Sequence, residues 1–122
     1  MNTLTLALVL FSVFLSVMAQ ILLKMGMSSG SVQSALSGGV VSAVSAILTN
    51  VSVMLGLATY FSSAVVWLLV LSKIDVSKAY PFVGLGFVGT MLFAYWFLGE
   101  PLTISKVAGT LIIVVGVYIV SQ

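Results

Sequence analysis

Long apolar runs alternate with short polar breaks along the chain, and the breaks decide where elements begin and end. A bilayer core about 30 Å thick needs roughly 20 mostly apolar residues per helix. Runs of that kind predict membrane helices over 4–23, 51–71, 79–98 and 102–120. The segment Ser72-Lys73-Ile74-Asp75-Val76-Ser77-Lys78 separates the second from the third and holds three of the six charges. Gly99-Glu100-Pro101 separates the third from the fourth, with a helix-stopping glycine ahead of a proline suited to a first turn.

Between Met25 and Asn50 the pattern changes to Ser, Gly, Ala and Val, without a charge. Val32, Leu36, Val40, Val44 and Ile47 recur at helical spacing, while Ser34, Ser37, Ser42 and Ser45 gather elsewhere. This predicts a weakly amphipathic helix over 31–48, lying at the membrane interface. A fifth span is the rival reading, against which stand Gly38-Gly39 and the serine content.

Composition agrees with the membrane reading. Of 122 residues 61% are hydrophobic and 5% charged, whereas a soluble domain carries about 25% charged residues. The expected fold is all-α: one polytopic transmembrane domain of four helices, with the interfacial helix between the first two. The apolar N-terminus ends in Val17-Met18-Ala19, which has the small-residue pattern of a signal cleavage site. No Lys or Arg precedes that run and the remaining chain is equally hydrophobic, so a retained first helix is expected.

The chain has no Cys and no His, which excludes disulfides, thiol nucleophiles, His acid–base catalysis and the usual zinc sites. Four Lys without Arg form no basic patch, so no nucleic-acid partner is expected. Nucleophile, base and oxyanion donors cannot be assembled from these residues, so neither an enzyme nor a cofactor is expected. Lys73 and Lys78 fall on one side of the membrane, Lys24 and Lys106 on the other, a two-against-two count that sets no orientation. Insertion both ways with antiparallel self-pairing, orientation by a partner subunit, and a single orientation set during insertion all remain open.

Ser12, Ser16, Gln20 and Lys24 follow one another at intervals of four and form a slowly drifting polar stripe on the first helix. It suits a partner helix, packed through small polar residues, or a wet cavity. In lipid an unpaired amide costs several kcal/mol, so Gln20 should face protein or water. Lys24 can snorkel to the headgroups or contact a phosphate. Lys78-Ala79-Tyr80-Pro81 brings a cation, a phenol and a first-turn proline together, as an interfacial anchor, a binding group or both. Tyr60 and Trp67, seven apart, share a face and either line a cavity or serve as packing and belt aromatics.

Glu100 stands about 33 Å from Lys78 along the third helix at 1.5 Å per residue. The two can pair only between subunits of an antiparallel dimer; otherwise Glu100 is a solvated loop charge. Gly84-Leu85-Gly86-Phe87-Val88-Gly89 has the letters of a dinucleotide loop without its strand, and marks a place where a bend or a close helix contact is cheap. Gly109 and Gly116, one heptad apart, are a candidate seam between subunits.

Taken in order, Ser16-Val17-Met18-Ala19-Gln20 with Lys24, Lys78-Ala79-Tyr80-Pro81, Gly84-Leu85-Gly86, Gly99-Glu100-Pro101-Leu102 and the Gly109/Gly116 pair resemble the drug/metabolite transporter superfamily, in its small four-helix, EamA-like group. That group contains the small multidrug resistance proteins, in which a glutamate of the first helix couples proton movement to cation export. The corresponding position is Ser16, so the resemblance carries over an antiparallel dimer but not that chemistry. The chain is also similar to subunits of the aminoarabinose-phosphoundecaprenol flippase, in the Ser-x-x-x-Gln of the first helix, the Ala79-Tyr80 start of the third and the stretch between the first two. This similarity implies movement of a polyprenyl-phosphate-linked sugar across the bacterial inner membrane for lipid A modification, by a heteromeric pair.

The expectation is therefore a dimeric flippase, homomeric or paired with a similar small subunit, that carries an anionic lipid-linked sugar by alternating access while the lipid tail stays in the bilayer. Lys24 and Lys78 are expected at the phosphate; Ser16, Gln20 and Tyr80 at sugar or phosphate oxygens; Tyr60 and Trp67 at the wall. The rivals are a small cation or metabolite exporter and a non-transporting subunit that orients a partner.

Overall fold

The computed structural model describes residues 2–122, all of whose regular structure is helical. Helix α1 runs Thr3–Met27, opened by Asn2, whose side-chain oxygen accepts from the Thr5 amide at 2.8 Å. Its 25 residues extend about 37 Å, more than a bilayer core requires. The helix continues past the expected end at Leu23, so Lys24 sits inside its last turn.

Helix α4, Val51–Leu71, packs antiparallel along α1 and makes the most extensive contact in the molecule. Small residues permit the approach. A methyl group at Gly56 would stand 2.9 Å from the Leu23 side chain, and Ser52 donates its hydroxyl to the Leu22 carbonyl at 2.6 Å. Asn50 joins this end together, capping α4 through the Val53 amide at 3.0 Å while its side-chain nitrogen donates to Ser29 Oγ at 3.1 Å.

The single helix expected over 31–48 is instead two, α2 at Gly30–Leu36 and α3 at Val40–Thr49. Gly39 separates them with φ of 101°, a left-handed conformation that side chains disfavour. Neither piece can be a fifth span: α3, with 10 residues, extends about 15 Å. Val32 of α2 is fully buried, whereas Val40 and Val41 of α3 are exposed.

The helix expected to begin at Ala79 begins three residues earlier, because Asp75 supplies the carbonyl that accepts from the Lys78 and Ala79 amides. Helix α5, Val76–Ala79, passes into a 3-10 turn over Tyr80–Gly84 and then into α6, Leu85–Leu98. Pro81 has no amide hydrogen to donate and sits at the start of the 3-10 turn. Gly99, with φ of 69°, stops α6, and Thr103 caps α7, Ile104–Val120, two residues after the expected start.

Val9, Val70, Ala79, Phe82 and Val117 form a core where α1, α4, the α5/3-10 segment and α7 meet. The glycines of the third run are at close contacts: a methyl at Gly84 would stand 2.8 Å from Ile113, and one at Gly89 3.2 Å from Val17. Three stretches are long and apolar enough to cross a membrane: α1, α4 and Val76–Leu98. The fourth expected span is the apolar, 17-residue α7. Leu, Val, Ile and Phe side chains stand exposed over the outer surfaces of these helices, as suits contact with lipid.

Candidate functional site

The three elements packed on α1 leave a cavity of about 260 Å³ between them. Its floor is α1, through Ser12, Val13 and Ser16; one wall is α4, through Tyr60, Ser63, Ala64 and Trp67; the other is Tyr80, Val83 and Gly86. The floor is set by a reciprocal bond. Ser12 Oγ donates to the Ser63 carbonyl at 3.0 Å, and Ser63 Oγ donates to the Ser12 carbonyl at 2.9 Å. Both serines are buried, and the paired bonds lock α1 to α4 in rotation as well as position.

The lining is chemically uniform in one respect: five of its ten residues carry hydroxyls, two of those on aromatic rings, and none is acidic or basic. Its volume is below the roughly 300–1,000 Å³ of sites that enclose a drug-sized ligand, which is the scale of a single small ring and not of a long lipid chain. Hydroxyls can give and accept hydrogen bonds, and the faces of Tyr60, Trp67 and Tyr80 can cover the apolar faces of a sugar ring.

Four of the seven residues expected to touch substrate, Ser16, Tyr60, Trp67 and Tyr80, lie on this one cavity. Gln20 is one turn further along α1, exposed and outside the lining. Lys78 is two residues ahead of Tyr80 and half-buried. Lys24 is at the far end. Gly86 and Gly89 of α6 lie against Val13 and Val17 of α1, so the two helices run parallel with Lys78 level with the first two turns of α1. At 1.5 Å per residue, Lys24 and Lys78 are then about 25 Å apart along the bundle, and one phosphate cannot touch both.

Glu100 lines a second cavity, of about 420 Å³ between α6 and α7, together with Lys106 and Gly109. Lys106 Nζ donates to the Pro101 carbonyl at 2.9 Å. Lys78 and Glu100 stand at opposite ends of the Val76–Leu98 segment, as the sequence spacing requires. Gly109 and Gly116 are exposed, and a methyl group at either would meet nothing within 4 Å. Ser63 escaped the sequence reading; its only signal there is a serine pair, Ser62-Ser63, inside an apolar run.

Helix lengths and surface together define a multi-pass membrane protein with a small, uncharged, half-open cavity between its helices, lined by hydroxyls on a mostly apolar wall. Its curated relatives are named as flippase subunits. The chain is 39% identical over 75 residues to the probable 4-amino-4-deoxy-L-arabinose-phosphoundecaprenol flippase subunit ArnF of Photorhabdus laumondii, covering 59% of each chain. It is 41% identical over 73 residues to the ArnF subunit of Proteus mirabilis, covering 57% of this chain and 54% of that one. It is 39% identical over 67 residues to the probable ArnE subunit of Pseudomonas syringae pv. syringae, covering 55% and 62%. The chain thus spans little more than half the length of the curated relatives it matches. No family model matches it. No solved structure matches it either.

Proposed function

We propose that the protein is a subunit of a transporter that moves a polyprenyl-phosphate-linked sugar, of the aminoarabinose type, across the bacterial inner membrane. The observation that carries this is the cavity itself, hydroxyl-lined, aromatic-walled and without a charge, in a chain whose relatives are named as flippase subunits. The sugar would occupy the cavity with Ser16 and Tyr80 on its oxygens and Tyr60 and Trp67 against its ring. The lipid tail would stay in the bilayer through a lateral opening.

Alpha-helix α7 would be the fourth span, and its open glycine face, Gly109 and Gly116, would meet a second copy or a similar small subunit. In an antiparallel pair, Lys78 of one subunit and Glu100 of the other share a membrane face. Alternating access then exposes the cavity to each side in turn, and the 3-10 turn at Tyr80–Gly84, beside the cavity, is the natural place to bend.

The aromatic wall favours a second reading, export of a small cation. Proton-coupled export needs a titratable group in the pathway, and the cavity lining offers no carboxylate. The test reconstitutes the chain in liposomes, alone and with a companion subunit, and follows translocation of a short-chain polyprenyl-phosphate sugar beside pH-driven uptake of a quaternary ammonium dye. Lipid movement without dye uptake is expected; dye uptake alone would overturn the reading. A chain that, alone, is inactive on every lipid and cation tested would favour a subunit that only orients its partner.

A further inference from the structure

The polar stripe of α1 has a direction that its spacing alone does not reveal. Each step of four residues turns about 40° around the helix and rises about 6 Å. Ser12 is fixed against α4 by its bond to Ser63. Val13 and Val17 face α6. On a 100°-per-residue wheel Ser16 and Gln20 fall between those two faces, and Lys24 falls in the direction of α6. Helices α4 and α6 each pack on α1 and hardly touch one another. The stripe is therefore the floor of the angle between them, with the cavity over its first half.

Among the described residues, each end of this floor has a lysine close to it. At the Tyr80 end it is Lys78, whose neighbour Lys73 lies in the loop beyond. At the other end it is Lys24, exposed in the last turn of α1, while Lys106 is engaged with the Pro101 carbonyl. Counted along α1, the middle of the cavity is about 8 Å from the Lys78 level and about 18 Å from Lys24. A phosphate attached to a sugar in the cavity reaches Lys78 and not Lys24.

We propose that Lys78 and Lys24 are two separate phosphate-docking points, one at each membrane face, and that Ser16 and Gln20 lead the headgroup between them along α1. This rests on the flippase reading above. A headgroup leaving the cavity toward Lys24 would otherwise shed its hydrogen bonds into hydrocarbon, at several kcal/mol per unpaired polar group. Gln20, one turn beyond Ser16 and outside the cavity, supplies the next donor and acceptor. The division also gives the unbiased lysine distribution a use: each face needs its own cation, whichever way the chain inserts.

The chain has no Cys, so one introduced thiol can report on either end. Ser72→Cys beyond α4 marks the Lys78 end and Ser28→Cys after α1 marks the Lys24 end; each carries an environment-sensitive fluorophore in nanodiscs and is titrated with a short-chain polyprenyl-phosphate sugar. Lys78→Ala should weaken the response at position 72 at least ten-fold and leave that at 28 within two-fold. Lys24→Ala should do the reverse. Lys→Arg at each site should restore binding, and either alanine variant should slow translocation in liposomes. Loss of both responses from one alanine variant would mean a single phosphate site, and retention of both would mean lysines that only anchor; either overturns the proposal. If the unsubstituted chain with its companion subunit neither responds nor translocates, the flippase reading fails with it, a result distinct from the other two.

Discussion

Ser12 and Ser63 each donate to the other's backbone carbonyl, so loss of either hydroxyl takes one donor from its partner's carbonyl. Hydrogen bonds between membrane helices average about 0.6 kcal/mol and reach about 1.7 kcal/mol in double-mutant cycles. Ser12→Ala and Ser63→Ala should each lower unfolding free energy by about 1 kcal/mol, and the double variant by less than the two combined, measured by reversible unfolding in bicelles. Ser16 differs from them in lining the cavity without a reciprocal bond of that kind to α4. Ser16→Glu would put an anion beside an anionic headgroup, so lipid–sugar translocation should fall at least ten-fold while Ser16→Thr retains most of it. Equal activity of the two variants would remove Ser16 from the substrate's path.

At the scale of elements, two glycines stand in contrast, one packed within the chain and the other facing open space. A side chain at Gly56 meets Leu23 at 2.9 Å, whereas one at Gly109 meets nothing within 4 Å. Gly56→Val should cost about 1–3 kcal/mol by overpacking, read as a lowered Tm of the solubilised protein. Gly109→Val should leave that Tm nearly unchanged and instead reduce subunit pairing, read by energy transfer between labelled chains in liposomes. Unchanged pairing would mean that the α7 face is covered by lipid alone. The sequence could not separate these glycines by itself, since a lone Gly56 in an apolar run has no pattern around it, while Gly109/Gly116 at heptad spacing does. Similarly, hydropathy located the third run but read Val76-Ser77-Lys78 as loop, because the first turn of that helix is polar and is held by the backbone of Asp75. The break at Gly39 is marked in the sequence by a glycine pair, which the helical spacing of the apolar residues on either side masks.

For the whole molecule, what is readable in the sequence is the one-dimensional part: the three stretches long and apolar enough to cross a membrane, the spacing of four polar or aromatic residues that meet at the cavity, and a serine rather than a carboxylate at position 16. What required three dimensions was their grouping. Spacing along the spans already puts Lys24 and Lys78 on opposite faces, but only the register of α6 on α1 sets how far apart they are along the bundle, about 25 Å. Likewise Tyr60 and Trp67 share a face by count, yet their meeting with Tyr80 and Ser16 depends on α4 and the 3-10 turn flanking the same side of α1. An uncharged cavity also predicts how the assembly responds to its surroundings: imposing a pH gradient across liposomes should change the lipid–sugar translocation rate by less than two-fold. A rate that follows the gradient would call for a proton carrier outside the cavity.

Trp67 offers the most direct test, since the chain has only two tryptophans and the other, Trp96, is exposed on α6 away from the cavity lining. Trp96→Phe leaves Trp67 as the sole tryptophan, on the wall where the sugar is placed. Titrating this variant in liposomes, with a companion subunit whose own tryptophans are replaced by Phe, with a short-chain polyprenyl-phosphate sugar should change Trp67 emission saturably. The same lipid phosphate without its sugar should leave it unchanged. An emission that ignores the sugar lipid, or that responds only to a quaternary ammonium, would contradict a sugar-binding cavity.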